Sequence, residues 1–272
     1  MTILDQIVNS KRGEVERAKL ARPLDVVRRA AEQADPPRDF ASAVTRSHAG
    51  YVNLIAEIKR ASPSGGVIVP DFDPVRIART YELAGASAIS VLTDKPYFDG
   101  HLENVAQVKR AVGLPVLRKD FIIDEYQVFE SRAAGADCIL LIAEVLDFDQ
   151  IEHFHKLSRD LRMAVLIEIH TERNLDARLA RLGPPRPDHY LLGINNRDLS
   201  AQRTDLSTCE RLGAKLTPGT GFVAESGIAT REDVERVRAA GAHAMLVGES
   251  LLRADDITAR IQELLAQETN RD

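Results

Sequence analysis

The sequence predicts an α/β fold, a single closed (β/α)₈ TIM barrel with an N-terminal helical extension, and three observations carry that expectation. Eight β-type runs recur, at residues 53–59, 88–93, 115–119, 137–143, 164–169, 190–195, 221–225 and 243–247. Most are continuously apolar instead of alternating, as expected of parallel strands buried on both faces. Their spacing of roughly 25 to 35 residues suits one strand-helix unit each. A weak repeat supports the count: Ala84-Gly85-Ala86, Ala134-Gly135-Ala136 and Ala240-Gly241-Ala242 each close a helical pattern and lead into a strand. Glycine in that position accepts the left-handed turn that ends a helix.

Taken in order, the chain begins with two helical patterns, 3–20 and 24–34, with no strand between them. Asp35-Pro36-Pro37 then stops the second. Residues 1–50 are therefore read as an extension packed on a barrel of residues 51–272, the two forming one structural domain. A length of 272 residues suits one such barrel. The proline-rich stretch 183–187 reads as a stiff surface connection before the sixth strand, at the rim opposite the chemistry.

Composition narrows the function classes. A hydrophobic fraction of 44% and a charged fraction of 28% are those of a globular chain. No run approaches the ~20 apolar residues of a membrane span, and the first twenty residues mix charge with apolar side chains, so a cytoplasmic location and no membrane partner are expected. Cys138 and Cys209 lie far apart, Cys138 in an apolar run, which favours reduced, buried thiols. A net charge of −5 argues against nonspecific nucleic-acid binding, which needs a clustered basic face. An anionic small molecule remains possible where local cations and backbone N–H groups hold it. The expected assembly is a monomer or weak homo-oligomer.

In this fold, functional side chains project from the C-terminal ends of the strands. Glu57 and Lys59 sit two residues apart at the first strand end, so extended backbone puts them on one face; the bland alternative is a structural ion pair. Lys119 ends the third strand and shares a side with Leu117 and Phe121, while Arg118 and Asp120 turn to the helical layer. A lysine among apolar walls would have a lowered pKa and could act as proton donor or nucleophile, unless it merely pairs with a carboxylate. Glu168 is the one acid ending the fifth run, and Asn195 and Arg197 are again two apart at the sixth; each alone could be a rim hydrogen-bonder. Ser226-Gly227 and Gly248-Glu249 end the seventh and eighth units, where small residues let backbone N–H groups approach a phosphate. His153 and His155 diverge on a helix, so no metal is expected, and no dinucleotide fingerprint follows the first strand. Residues 62–69 read as a hinged flap over the mouth.

The run Leu54-Ile55-Ala56-Glu57-Ile58-Lys59-Arg60-Ala61-Ser62-Pro63-Ser64 resembles the signature of the indole-3-glycerol-phosphate synthases. Leu117-Arg118-Lys119-Asp120-Phe121, Gly193-Ile194-Asn195-Asn196-Arg197-Asp198-Leu199 and Ala224-Glu225-Ser226-Gly227-Ile228 are similar too, and the likeness spans the whole chain. The resemblance implies closure of 1-(2-carboxyphenylamino)-1-deoxyribulose 5-phosphate to indole-3-glycerol phosphate, in tryptophan biosynthesis, with loss of carbon dioxide and water and no cofactor. It implies that Lys119 protonates the carbonyl and that Glu57, Lys59, Glu168 and Asn195 complete the acid/base set. Arg197 would organise the polar network, and Ser226 would be a second hydrogen-bonder. Ser62, Gly227, Gly248 and Glu249 match phosphate positions, and Phe121 is counted with the substrate-binding residues. Glu249 departs from what a phosphate site wants, since its carboxylate must point away. Two other readings were weighed: a phosphoribosyl isomerase, which should lack Glu57-Ile58-Lys59 followed by Ser62-Pro63, and a catalytically silent barrel that senses a phosphorylated metabolite.

Overall fold

Local sequence sets the first helices. The computed structural model describes residues 2–46, 52–198 and 203–265. Thr2 and Asp5 form a reciprocal capping box that starts α1 (Ile3–Ala21), and α2 (Leu24–Gln33) follows Pro23. A third helix, α3 (Phe40–Thr45), starts where the Asp39 side chain accepts the Ser42 N–H. The sequence reading missed α3, because six residues are too few to display a helical period.

Eight strands follow: β1 (Asn53–Ile58), β2 (Ala88–Leu92), β3 (Val116–Lys119), β4 (Cys138–Ile142), β5 (Ala164–Ile169), β6 (Leu191–Asn195), β7 (Phe222–Glu225) and β8 (Ala242–Val247). Each pairs in parallel with its sequence neighbours, and β8 pairs with β1, so the barrel closes. β4 shows why the strands read as apolar throughout. Cys138, Leu140 and Ile142 enter the barrel interior, while Ile139 and Leu141 pack against the helical layer. The helices of that layer include α4 (Pro74–Leu83), α6 (Glu103–Ala111), α7 (Glu125–Ala133), α8 (Phe148–Asp160), α9 (Glu172–Leu182), α10 (Ser207–Gly213), α11 (Arg231–Ala239), α12 (Glu249–Leu252) and α13 (Ile257–Leu265), while the short α5 (Lys95–Phe98) packs on the interior cluster through Tyr97 and Phe98.

The repeated glycines are explained by backbone conformation. Gly85, Gly135 and Gly241 have φ of +98°, +90° and +99°. At the first, Ala86 N–H reaches Tyr81 O and Gly85 N–H reaches Glu82 O, the double bond that caps orphan helix carbonyls. A side chain at these positions would be strained.

The N-terminal helices are tied to both ends of the barrel. Phe40 and Val44 of α3, both fully buried, join the interior cluster. At the N-terminal rim Asn53 Nδ2 donates to the carbonyls of Val44, Arg46 and His243. α1 crosses the other end, where Lys11, 1% exposed, pairs with Asp94 at 2.9 Å and Asp120 at 2.8 Å. α2 packs on α7 through Val27, Ala31, Tyr126 and Phe129. The connection before β6 lies near the rim that holds Thr45 and His243, away from the strand ends that carry the acids. Cys138 and Cys209 are free and buried, and burial pushes the Cys209 thiol up to about 12. Among the described residues no helix is long and apolar enough to cross a membrane.

Candidate active site

The C-terminal ends of the strands enclose a cavity of about 370 Å³. Glu57, Lys59, Lys119, Phe121, Glu168, Asn195, Arg197, Ser226, Gly227, Gly248 and Glu249 all line it. The residues singled out from sequence thus meet at one place, with the exception of Ser62. That hydroxyl is buried behind the wall and accepts the Gly65 N–H at 3.0 Å. The surrounding segment forms a small antiparallel hairpin, Ala61–Ser62 against Gly66–Val67, whose Gly65 carbonyl accepts from Arg253.

At the first strand end Lys59 Nζ stands 2.6 Å from Glu57 Oε1, so the two do form an ion pair, but at the cavity wall. Lys119 corrects an expectation. Apolar walls should have lowered its pKa, yet its Nζ lies 3.3 Å from Glu168 Oε2 and 3.7 Å from Glu225 Oε2. Burial alone would discharge it, but Glu168, Glu225 and Glu57 together hold it above an ordinary lysine. Lys119 is therefore held as a charged ammonium, not as a neutral amine. Phe121 stands on the same side, as alternation required, and joins the apolar part of the wall with Leu140 and Ile142. Arg118 faces the helical layer as expected, while Asp120 borders the cavity and also meets Lys11 of α1. Arg118 pairs with Asp120 at 3.0 Å and with Glu130 of α7 at 2.9 Å.

The two carboxylates beside Lys119 are set apart by their surroundings. Burial tends to raise Glu168, but Lys119, His170 and the Asn195 amide bring it down to about 2. Asn195 Nδ2 donates to Glu168 Oε1 at 3.1 Å, and its Oδ1 accepts the Arg197 N–H. Glu225 is driven the other way, by burial and then by the neighbouring Glu168 charge, well above the usual carboxylate range. Neither Glu225 oxygen accepts a hydrogen bond, and the proton it keeps is the one it shares with Glu168. One acid is thus ionised and the other keeps its proton, the separation that distinguishes a base from an acid.

Sequence reasoning missed Glu225, although the signal was present. Val223 is an interior residue, so alternation along β7 turns Glu225 inward as well. Gly193 confirms the placement, since a side chain there would collide with the Glu225 carboxylate.

Beyond Glu225 the backbone turns sharply. Ser226 and Gly227 both have positive φ, +65° and +79°, and a Cβ on Gly227 would meet Thr204. Asn196 Nδ2 holds the turn by donating to the Glu225 and Ser226 carbonyls. A non-glycine residue in this conformation is strained, and such strain gathers at ligand sites. Gly248 precedes α12, and here the reason for glycine is wider than the reading from sequence. A Cβ would lie 2.5 Å from Glu57 Oε1, so Gly248 makes room for the Glu57 carboxylate. The Glu249 carboxylate is turned to Arg253 at 2.8 Å. Arg253, Lys59 and Arg197 offset its burial and keep it ionised. His153 pairs with Glu125 and His155 meets the His189 carbonyl, so the two diverge.

The family model described as indole-3-glycerol phosphate synthase matches residues 4–264. An indole-3-glycerol phosphate synthase of Rhodospirillum rubrum is 46% identical over 97% of this chain and 98% of its own length. One from Neisseria gonorrhoeae is 47% identical over 96% and 98%. Among solved structures, a 3-hexulose-6-phosphate synthase superposes with a TM-score of 0.62 at 18% identity, covering 79% of this chain and 99% of that one, which speaks for the barrel alone. The chain belongs to the indole-3-glycerol phosphate synthase family and is a carboxy-lyase of tryptophan biosynthesis that acts on a small phosphorylated substrate.

Proposed function

We propose the following division of labour for ring closure of 1-(2-carboxyphenylamino)-1-deoxyribulose 5-phosphate to indole-3-glycerol phosphate. The observation that carries it is the Lys119 ammonium held between an ionised and a neutral carboxyl at the bottom of a half-apolar cavity. Lys119 donates a proton to the ketone oxygen while the ring carbon bearing the carboxylate bonds to the carbonyl carbon. Carbon dioxide leaves, and its electron pair restores the aromatic ring. The former carbonyl oxygen then takes a second proton, from Lys59 or neutral Glu225, and departs as water, and Glu168 takes the proton from the adjacent carbon. Lys59 and neutral Glu225 are the other proton-bearing groups within the cavity. The aryl group is assigned to the Phe121, Leu140 and Ile142 wall.

The phosphate is assigned to the backbone of Ser226-Gly227 and Gly248-Glu249, with Ser62 supporting the latter from behind through Gly65. Arg197, anchored on Asn195, closes the polar side. No cofactor or metal enters this scheme. Residues 1–50 are read as part of one structural domain with the barrel, and the enzyme as cytoplasmic, working as a monomer or weak homo-oligomer. Incubating the purified chain with the carboxyphenylamino substrate, without metal or nucleotide, tests the scheme. Indole fluorescence should rise as carbon dioxide is released, and a flat trace with properly folded protein would overturn it.

A further inference from the structure

Glu168 has a second neighbour on its outer side that the scheme above does not use. His170 follows β5 directly, with Nδ1 2.8 Å from Glu144 Oε2 and Nε2 3.2 Å from Glu168 Oε1. Glu144, in the turn after β4, is itself fixed. Its Oε1 accepts the His170 backbone N–H at 2.9 Å and the Asn174 Nδ2 of α9 at 2.9 Å. One edge of the imidazole is thus clamped by a carboxylate, and the other edge faces the acid that lines the cavity. Nε2 is buried and makes no aligned hydrogen bond, so its contact with Glu168 is electrostatic.

The charged groups around this ring come from β3, the turn after β4, β5 and α9. Glu144 and Glu168 are negative, and Lys119 of β3 is positive beyond Glu168. From α9, Asn174 is neutral, and the Arg178 charge is felt by Glu144. Burial would discharge the ring, but Glu144 and Glu168 outweigh it and Lys119, so the imidazole is held above an ordinary histidine.

This cation answers a question that Lys119 leaves open. One ammonium lies between two buried carboxyls at 3.3 and 3.7 Å, distances too similar to decide alone which of them ionises. His170 stands beside Glu168 only. We propose that His170, clamped by Glu144, is a positioning residue of the reaction: its charge behind Glu168 makes that carboxylate, and not Glu225, the ionised one when substrate binds. The inference rests on Glu168 being the base and adds what keeps it so.

The test is the pH profile of kcat for the wild type, His170→Asn, Glu144→Gln and Glu168→Gln. An opposite charge at this range lowers a carboxyl pKa by about 1 to 3 units, so His170→Asn should move the acid limb up by about one unit or more. KM should stay within about threefold, because the interaction is not one with bound substrate. Glu144→Gln keeps the shape but weakens the hold on the imidazolium, and should move the alkaline limb to lower pH. Both profiles scaled down uniformly, with unmoved limbs, would reduce His170 to a structural role and overturn the proposal. If His170→Asn does not fold, Glu144→Gln decides alone. Glu168→Gln separates the two claims. Retained turnover there defeats the assignment of the base, whereas an inactive Glu168→Gln with unmoved limbs in the other variants defeats only His170.

Discussion

Glu225 shows most clearly how a residue acquires its chemistry from surroundings that are remote in sequence. Its carboxyl is 1% exposed, accepts no hydrogen bond and sits against ionised Glu168, to which its own O–H donates, so the proton stays on. Glu225→Gln should therefore fold with a melting temperature near that of the wild type, since glutamine resembles the protonated acid. It should lower kcat by about 10²-fold if that proton is used, as removal of a general acid does. Calorimetric melting and steady-state rates on one preparation check both halves. Side-chain direction was partly legible at this scale: alternation put Glu57 and Lys59 on one face and Lys119 on the side of Phe121, while Glu168 and Asn195 stood out only as polar residues at strand ends. Charge state was not legible. The apolar residues next to Lys119 in sequence suggested a lowered pKa, whereas its real neighbours arrive from β1, β5 and β7.

Among the elements, α1 does more than cover the barrel. Lys11 is buried between Asp94 and Asp120, the acids that follow β2 and β3, and Asp120 is the residue next to Lys119. Lys11→Met would leave both acids buried without this cation and should cost about 3–5 kcal/mol, read from urea unfolding. The sign with pH follows from the raised Lys11 pKa: the contribution is full below the unfolded value of 10.5 and fades as pH rises above it. At the other side of the mouth, Gly248→Ala would press on the Glu57 carboxylate. Both a raised KM and a lowered kcat are expected, and a change in KM alone would restrict Gly248 to the anion site. The strands were legible because a run buried on both faces leaves an apolar word in the sequence. The tie of α1 was not, since Lys11 on a mixed-charge helix looks like any solvated lysine until the fold brings two aspartates to it.

At the scale of the whole molecule, the barrel gathers side chains from every part of the chain at one end, against a net charge of −5. Acid should unfold it for a stated reason. Asp120 and Glu168 are both held at about 2, so the stability they contribute is present above their unfolded values of 3.8 and 4.5 and is lost as pH falls toward 2. Glu225 acts in the opposite sense, as its raised pKa disfavours the fold progressively above pH 4.5. Urea midpoints should therefore hold or rise slightly from pH 7 to about 4.5 and fall as pH drops from there toward 2, and a series that stays flat below pH 4.5 would contradict the first two assignments. Closure of the barrel and the identity of the strand ends were readable from the eight runs and their spacing. The division of the acids into one charged and one neutral needed the assembled mouth. The central claim, that Lys119 performs chemistry while the loops after β7 and β8 bind, is tested most directly by Lys119→Ala. Its kcat should fall by about 10²- to 10⁴-fold while the calorimetric affinity for indole-3-glycerol phosphate changes little. Near-normal kcat, or preserved kcat with lost affinity, would contradict it.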